Sequence, residues 1–196
     1  MFANRYTAFI DACALAGALK RNLLLTLAEA EFFRVRWSGP VLDETQRAIE
    51  GILTKKGASD AATRALRARQ AMENAFEDAS VEDFEKFLGV CEGLPDKNDA
   101  HVVAAALKTQ AAVIVTDNLK HFPAKLMEPL NLDIRSADEF IADTIALDVG
   151  RAIAAIKKMR DRFKKPEMTA ERLLIEMEAV GLTEAVDMLR PHIQSL

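Results

Sequence analysis

Acidic and amide residues recur in this sequence where a strand is expected to end or a helix to begin. Asp11 follows the apolar segment "YTAFI", and Asp117 and Asn118 follow the apolar run "AAVIVT". Asp96 and Asp99 stand just before the alanine-rich stretch "AHVVAAALK". Because an unpartnered buried carboxylate is costly, Asp11 must either meet solvent at a strand end or bind something. Clustered carboxylate and amide oxygens would suit a hard divalent cation such as Mg²⁺.

The elements that would hold these residues alternate between strands and helices. Strands are predicted in "YTAFID", "FFRVRW", "AAVIVT" and "NLDIRS", and a further short one over 84–90. Helices are predicted over 18–30, 61–79 and 100–108, from Ser38 through "VLDETQRAIEGIL", and after a capping box formed by Ser136 and Glu139. This alternation predicts an α/β fold with a mostly parallel sheet. In such sheets the strands end at a common edge, where the acidic and amide residues can converge.

The net charge of −4 does not indicate a nucleic-acid-binding protein, but the charges are segregated. Nine acidic residues lie within 73–99, beside two lysines. Seven Lys and Arg residues lie within 151–165, beside one aspartate. This distribution fits an acidic site on one surface and a polyanion-binding surface elsewhere, and it also fits ordinary solvated helix faces.

The two cysteines, Cys13 and Cys91, are far apart and form no CxxC motif. They therefore argue against a zinc site and fit a reducing, cytoplasmic environment. Asp11 interrupts the first apolar segment, which argues against a signal peptide. No later segment is apolar for long enough to predict a membrane span.

Four segments, taken in order, resemble the PIN-domain nucleases, and more narrowly the VapC-type toxins of bacterial toxin–antitoxin pairs. They are "FIDACAL", "RWSGPVLDETQ", "LPDKNDAHVVAAAL" and "VIVTDNLKHFP". The resemblance covers roughly residues 5–141. The tail segment "KKPEMTAERLLIEMEAVGL" resembles a C-terminal extension found in one branch of that family. We therefore expect a PIN-like domain over 1–141 and a helical extension over 142–196.

The resemblance implies a three-layer α/β/α fold and a metal-dependent endoribonuclease toxin. It further implies an antitoxin partner, an RNA substrate and a homodimer. Matched position by position, Asp11, Glu44 and Asp99 would bind Mg²⁺ or Mn²⁺, with Asp96 as a rival to Asp99. The fourth position, an aspartate in many members, is Asn118 here. That substitution removes one charge and leaves the number of bound ions open.

Each site residue also has an ordinary structural interpretation. Asp11, Asp96, Asp99 and Asn118 are all types that cap helices, and Glu44 could be a solvated helical residue. Asp117, Thr116 and Ser38 are possible additional site residues, although capping and turn roles account for them too. Cys13 is interpreted as a small core residue.

Two other α/β families that gather aspartates at strand ends do not fit. A haloacid-dehalogenase-type phosphatase requires an aspartate where Cys13 stands, and a response-regulator receiver requires a different order of acidic residues. Asn118 leaves one alternative open, an RNA- or partner-binding protein with a degenerate nuclease site.

The basic segment of the tail is the expected RNA-binding surface. The apolar residues that follow it are expected to pack on the main domain or on an antitoxin. The candidate RNA contacts are Lys157, Lys158, Arg160, Arg162, Lys164 and Lys165.

Overall fold

A central sheet of five parallel strands organises the molecule. The computed structural model describes residues 6–164 and 167–196. The strands are β1 (Thr7–Ile10), β2 (Arg34–Ser38), β3 (Ser80–Val81), β4 (Val113–Val115) and β5 (Asp133–Arg135). They are ordered β3-β2-β1-β4-β5, and every neighbouring pair is parallel. The predicted α/β class with a parallel sheet is confirmed.

Helices connect the strands and continue beyond the last one. They are α1 (Ala12–Ala16), α2 (Ala18–Glu29), α3 (Gly39–Lys55), α4 (Ala61–Ala75), α5 (Ala100–Lys108), α6 (Ala124–Met127), α7 (Ala137–Leu147), α8 (Val149–Arg160), α9 (Ala170–Ala179) and α10 (Thr183–Leu189). Two short 3-10 turns, Lys97–Asp99 and Leu119–His121, end at residues of the candidate active site. Within 6–164 and 167–196, no helix is both long and apolar enough to cross a membrane.

Both faces of the sheet are covered. All residues of β1 and β4 are buried, although successive side chains of a strand point to opposite faces. Phe9, Ile10 and Ile114 are among the largest fully buried side chains. Strands of this kind read as uninterrupted apolar runs because helices pack against each face. The sheet is therefore the middle of three layers.

The region after α4 differs from the prediction. Residues 84–90 do not form a strand, because Glu85–Cys91 is a 3-10 helix. The edge strand is instead β3, which pairs with the end of β2 through Trp37 and Ser80. The preceding helix ends at Ala75 rather than at residue 79 because Phe76 leaves helical geometry. The Phe76 ring packs edge-on against Trp37 at 5.9 Å between ring centroids.

The C-terminal helices share the apolar core of the sheet domain, because buried side chains of α7–α10 and of the strands belong to one apolar cluster.

The predicted capping box at the start of α7 is present, since Glu139 N–H donates to Ser136 Oγ and Glu139 Oε2 accepts from Ser136 N–H. Gly181, with φ of +82°, separates α9 from α10. The predicted division at 141/142 falls inside the continuous helix α7, and the division into two units stays a prediction.

Candidate active site

The carboxylate of Asp11 is buried at the end of β1 and uses both of its oxygens. Oδ1 accepts from the backbone N–H of Ala12 at 2.6 Å and so caps α1. Oδ2 accepts from Thr116 Oγ1 at 2.7 Å and from Cys13 Sγ at 3.0 Å. Asp11 is only 4% exposed. The capping interpretation is therefore correct for one oxygen, while the other is held by polar side chains, one of them from the end of β4.

Thr116 and Cys13 tie the ends of β1 and β4 together. Thr116 is fully buried, and its Oγ1 also accepts from the backbone N–H of Asn118 at 3.1 Å. Cys13 Sγ accepts from the backbone N–H of Asp117 at 3.1 Å. Burial and the charge of Asp11 raise the pKa of the Cys13 thiol to about 12, so the thiol keeps its proton and can donate it. Sequence reasoning missed this role, although Cys13 stands two residues after Asp11.

Asp96, Asp99 and His121 form a second group of polar side chains. Asp96 Oδ1 accepts from Asn98 N–H at 2.9 Å and caps the turn that ends at Asp99. Asp99 Oδ2 lies 2.7 Å from His121 Nδ1. One ligand atom from each of the three residues lies within 4.8 Å of the others, and all three residues are partly buried. The sequence pointed to the two aspartates but not to His121.

The two groups are electrostatically coupled. Burial raises the pKa of Asp99, and the negative charges of Asp11 and Asp96 raise it further. The hydrogen bond with His121 acts in the opposite direction. A carboxyl whose ionisation is opposed by burial and by neighbouring carboxylates would be stabilised in its charged form by a bound cation.

Glu44 reaches the site indirectly. Glu44 is on α3, and its Oε1 lies 3.2 Å from Nε2 of His101. His101 is on α5, two residues after Asp99. His101 Nδ1 is buried and has no hydrogen-bond partner among the described residues. In the described part of the chain, the side chains whose ligand atoms lie close enough together to hold a metal ion are Asp96, Asp99 and His121, and neither Glu44 nor Asp11 belongs to this group.

The two residues after Thr116, Asp117 and Asn118, are both exposed, but of these two only the Asp117 side chain is engaged in hydrogen bonds with described residues. Asp117 Oδ2 accepts from Lys20 Nζ at 2.6 Å, and Oδ1 accepts from the first N–H of α7, on Ala137, at 3.2 Å. Asn118 is exposed and begins the turn Leu119–His121 without a side-chain capping bond. Asn118 is therefore available to a ligand, while Asp117 already anchors two neighbouring elements.

Ser38 ends β2 at the same edge of the sheet. It is fully buried, yet its hydroxyl forms no hydrogen bond with any residue that the structure describes. It precedes α3 with the extended backbone of a capping residue, but its side chain does not cap the helix. Its predicted role in the site stays a prediction.

Part of the basic tail segment contacts the protein itself. Lys157 Nζ and Arg160 Nη1 donate to the main-chain oxygen of Leu196 at 3.1 and 2.8 Å. Arg160 Nη2 also pairs with Asp161 at 2.8 Å. These two basic side chains therefore help to hold the segment after α10 against α8.

The remaining basic candidates differ in their surroundings. Arg162 pairs with Glu29 of α2 at 3.2 Å. Lys158 and Lys164 are exposed. Lys165 lies outside the described residues. Lys158 and Lys164 are thus the described candidates best placed to meet a polyanion.

Comparison with known proteins agrees with the fold and with the motif order. Residues 7–120 match the family model described as PIN domain, and residues 137–191 match one described as VapC50 C-terminal domain. Over 76 residues the chain is 40% identical to "Putative ribonuclease VapC50" of Mycobacterium tuberculosis (strain ATCC 25618 / H37Rv). That match covers 39% of this chain and less than half, 45%, of the relative. No solved structure matches the chain significantly. Since the PIN-domain model spans more than half of its residues, the chain belongs to the PIN-domain family.

Proposed function

We propose that this protein is a metal-dependent endoribonuclease that hydrolyses RNA phosphodiester bonds and acts as the toxin of a toxin–antitoxin pair. One observation carries the proposal. Asp99 belongs, with Asp96 and His121, to a group whose ligand atoms all lie within 4.8 Å of one another, and the charge of Asp11 raises the pKa of Asp99. A partly buried carboxyl whose ionisation is opposed by neighbouring carboxylates is typical of a cation-binding active site. The ribonuclease name of the relative supports the same activity.

In this proposal Asp11, Asp99 and Glu44 hold Mg²⁺ or Mn²⁺ through carboxylate oxygens, the donors that these ions prefer. When bound, such an ion polarises a phosphoryl oxygen and lowers the pKa of a bound water. Thr116 and Cys13 orient Oδ2 of Asp11 through their hydrogen bonds. His101 similarly restrains Glu44.

Asn118 stands at the fourth family position and would contribute its amide oxygen, which carries no formal charge. Asp96 caps the turn before α5 with Oδ1, so it contributes through Oδ2. An antitoxin, an RNA substrate, a homodimer and a cytoplasmic location complete the proposal, and they rest on the resemblance to VapC-type toxins.

The test is cleavage of single-stranded RNA by the purified protein. We expect cleavage with Mg²⁺ or Mn²⁺, none with EDTA, and none from Asp11→Asn or Asp99→Asn with either ion. Asp187→Asn, which removes an exposed carboxylate from α10, is the matched control and should cleave like wild type. Equal cleavage by wild type and both site variants would reject the assignment.

A second function fits one specific observation. With Asn118 in place of an acidic residue, the site holds one charge fewer than in many family members. A protein that binds RNA without cutting it would then use the basic tail and a degenerate site. RNA binding by wild type in Mn²⁺, with no cleavage at any metal concentration, would favour this alternative.

A further inference from the structure

The group of Asp96, Asp99 and His121 contains a nitrogen donor that the four proposed catalytic residues do not include. His121 Nδ1 points at Oδ2 of Asp99, the acid proposed as a metal ligand, at 2.7 Å. The His121 and Asp99 side chains are 25% and 19% exposed, so both are shielded yet reachable from solvent. An imidazole in this position either only orients Asp99 or becomes a ligand itself.

The backbone holds His121 in place independently of any ion. His121 is the last residue of a 3-10 turn that follows β4, and its N–H donates to the carbonyl oxygen of Asn118 at 2.9 Å. Asp96 is fixed as the cap of the turn before α5. Two short, hydrogen-bonded turns therefore present the three side chains to a common point, so binding an ion there requires little ordering of the chain.

The ring can offer a lone pair at this point. A neutral imidazole carries its proton on one nitrogen only. In the metal-free protein a proton on Nδ1 accounts for the 2.7 Å approach of the ring to the Asp99 carboxylate. A metal ion that binds here takes the place of this proton, and the ring then carries its proton on Nε2. Among the described residues none forms a hydrogen bond with Nε2, so that nitrogen is free to carry the proton once the ion is bound.

The donor set decides which ion is preferred. Mg²⁺ favours oxygen ligands in near-octahedral geometry. Imidazole nitrogen suits first-row transition-metal ions better than it suits Mg²⁺, and Mn²⁺, at the start of their affinity order, is the most demanding test of that preference. The exposed amide at Asn118 supplies no charge, which weakens the attraction of the site for a hard cation. The nitrogen donor of His121 should therefore contribute a larger share of the metal affinity here than it would in a site with four acids.

We infer that His121, together with Asp96 and Asp99, forms an imidazole-containing metal position that binds a first-row divalent transition-metal ion such as Mn²⁺ in preference to Mg²⁺. This inference rests on the proposed function only for the location of the site, which is shared through Asp99. It adds a ligand, His121, and a selectivity that the carboxylates alone would not produce.

Mn²⁺ and Mg²⁺ binding to the wild-type protein, measured by titration calorimetry without RNA, tests the selectivity. We expect Mn²⁺ to bind at least about tenfold more tightly than Mg²⁺. His121→Ala should lose about tenfold or more in Mn²⁺ affinity, since removing only a hydrogen-bond partner of a metal ligand already costs about 10–100-fold. Its Mg²⁺ affinity should change far less. His192→Ala removes an exposed histidine of the tail and is the matched control.

Pulsed electron paramagnetic resonance of bound Mn²⁺ tests the coordination directly, because a coordinated imidazole produces nitrogen coupling. We expect this coupling in wild type, His192→Ala and His101→Ala, and its loss in His121→Ala. His121→Asn keeps an N–H donor for Asp99 but no imidazole, so it should lose the coupling even if His121→Ala folds poorly.

Other results would overturn the inference. Absent nitrogen coupling in wild type, or equal losses of Mn²⁺ and Mg²⁺ affinity in the folded His121 variants, would make His121 only a hydrogen-bond partner of Asp99. Coupling that disappears in His101→Ala instead would show that His101, and not His121, supplies the nitrogen. Because no RNA is used, metal binding through His121 by a protein that cuts no RNA would reject the proposed function and leave this inference intact.

Discussion

Asp11 has a structural role at one carboxylate oxygen and a proposed chemical role at the other. Its Oδ1 caps the short helix α1, while its Oδ2 faces Thr116 and Cys13. A capping residue and a metal ligand are often treated as competing interpretations of an aspartate at a strand end. Here the two oxygens separate the roles, because capping requires only one acceptor.

Asp117 and Asn118 are adjacent, but their alanine variants should differ. Asp117→Ala should mainly lower stability, and Asn118→Ala should mainly reduce RNA cleavage. Asp117→Ala removes the partner of Lys20 and an acceptor for the first N–H of α7, so it should lower the free energy of unfolding by about 1 kcal/mol. RNA cleavage should largely remain. Asn118→Ala should leave stability within about 0.5 kcal/mol and reduce cleavage. Urea denaturation and a cleavage assay on both variants measure this, and the reverse pattern would shift the proposed fourth site position to Asp117.

The raised pKa of Asp99 predicts a pH dependence of stability without metal. Because the folded protein holds this proton more tightly than the unfolded chain does, the free energy of unfolding should fall as pH rises. The fall begins near the ordinary pKa of 3.8 and ends above the raised pKa of the folded state. The side chain in Asp99→Asn cannot ionise, and it keeps an oxygen acceptor for His121. The free energy of unfolding of this variant should therefore lack the decrease that Asp99 causes.

Urea denaturation in EDTA between about pH 4 and pH 7 checks this expectation. The stability of Asp99→Asn relative to wild type should increase with pH and then level off. A difference that stays constant across this range would mean that Asp99 ionises in the folded protein as it does in the unfolded chain.

Among the secondary-structure elements, α10 is joined to α7 by polar contacts as well as by the apolar core that both helices share. Asp138 of α7 accepts from the backbone N–H groups of Glu184 and Ala185 at 2.9 Å each, and from the Thr183 hydroxyl at 3.2 Å. It therefore caps α10 from a different helix. Leu182, the residue that precedes α10, makes no side-chain cap of its own.

Removing this cap should loosen α10 specifically. Asp138→Ala should lower the free energy of unfolding by about 1–2 kcal/mol, the usual effect of losing a helix cap. Hydrogen exchange of the α10 amides should also accelerate. Asp143→Ala, at an exposed position of the same helix, is the control and should change neither quantity appreciably. Unchanged exchange in Asp138→Ala would mean that apolar packing alone holds α10.

At the scale of the whole molecule, the separated charges predict where a polyanion approaches. Asp11 follows the end of β1 and Asp99 contacts His121 after β4, whereas the basic segment lies along and just after α8. Lys157, Arg160 and Arg162 already bind Leu196 or Glu29. Fewer basic side chains therefore remain for a polyanion than the sequence suggests.

The salt dependence of RNA binding tests this surface. Replacing Lys158 and Lys164 together with alanine should reduce the slope of log K against log salt by about 0.7 for each phosphate that these lysines neutralise. Lys157→Ala should alter the slope less, because the Lys157 ammonium donates a hydrogen bond to Leu196. Losing that bond should lower the free energy of unfolding. Lys56→Ala, at the exposed end of α3, is the control. An unchanged slope in the double variant would make the basic segment a solvated helix face.

The order and type of most elements could be predicted from the sequence, because the signals for them are local. Uninterrupted apolar runs predicted β1 and β4, and the Ser136 capping box predicted the start of α7. The order of motifs also predicted the PIN-domain family and the positions of Asp11 and Asp99. The short edge strand β3 escaped prediction because two residues carry no periodicity, and only pairing with β2 defines it.

Which polar side chains contact one another could be seen only in the folded chain. Thr116 reaches Asp11 across 105 positions, Glu44 reaches His101 across 57, and His121 reaches Asp99 across 22. No local pattern encodes these contacts, because they depend on how β4 aligns with β1 and on where two short turns direct their last residues. The candidate carboxylates could therefore be named from their types and order and stay a prediction, whereas the imidazole beside Asp99 became visible only once the chain was folded.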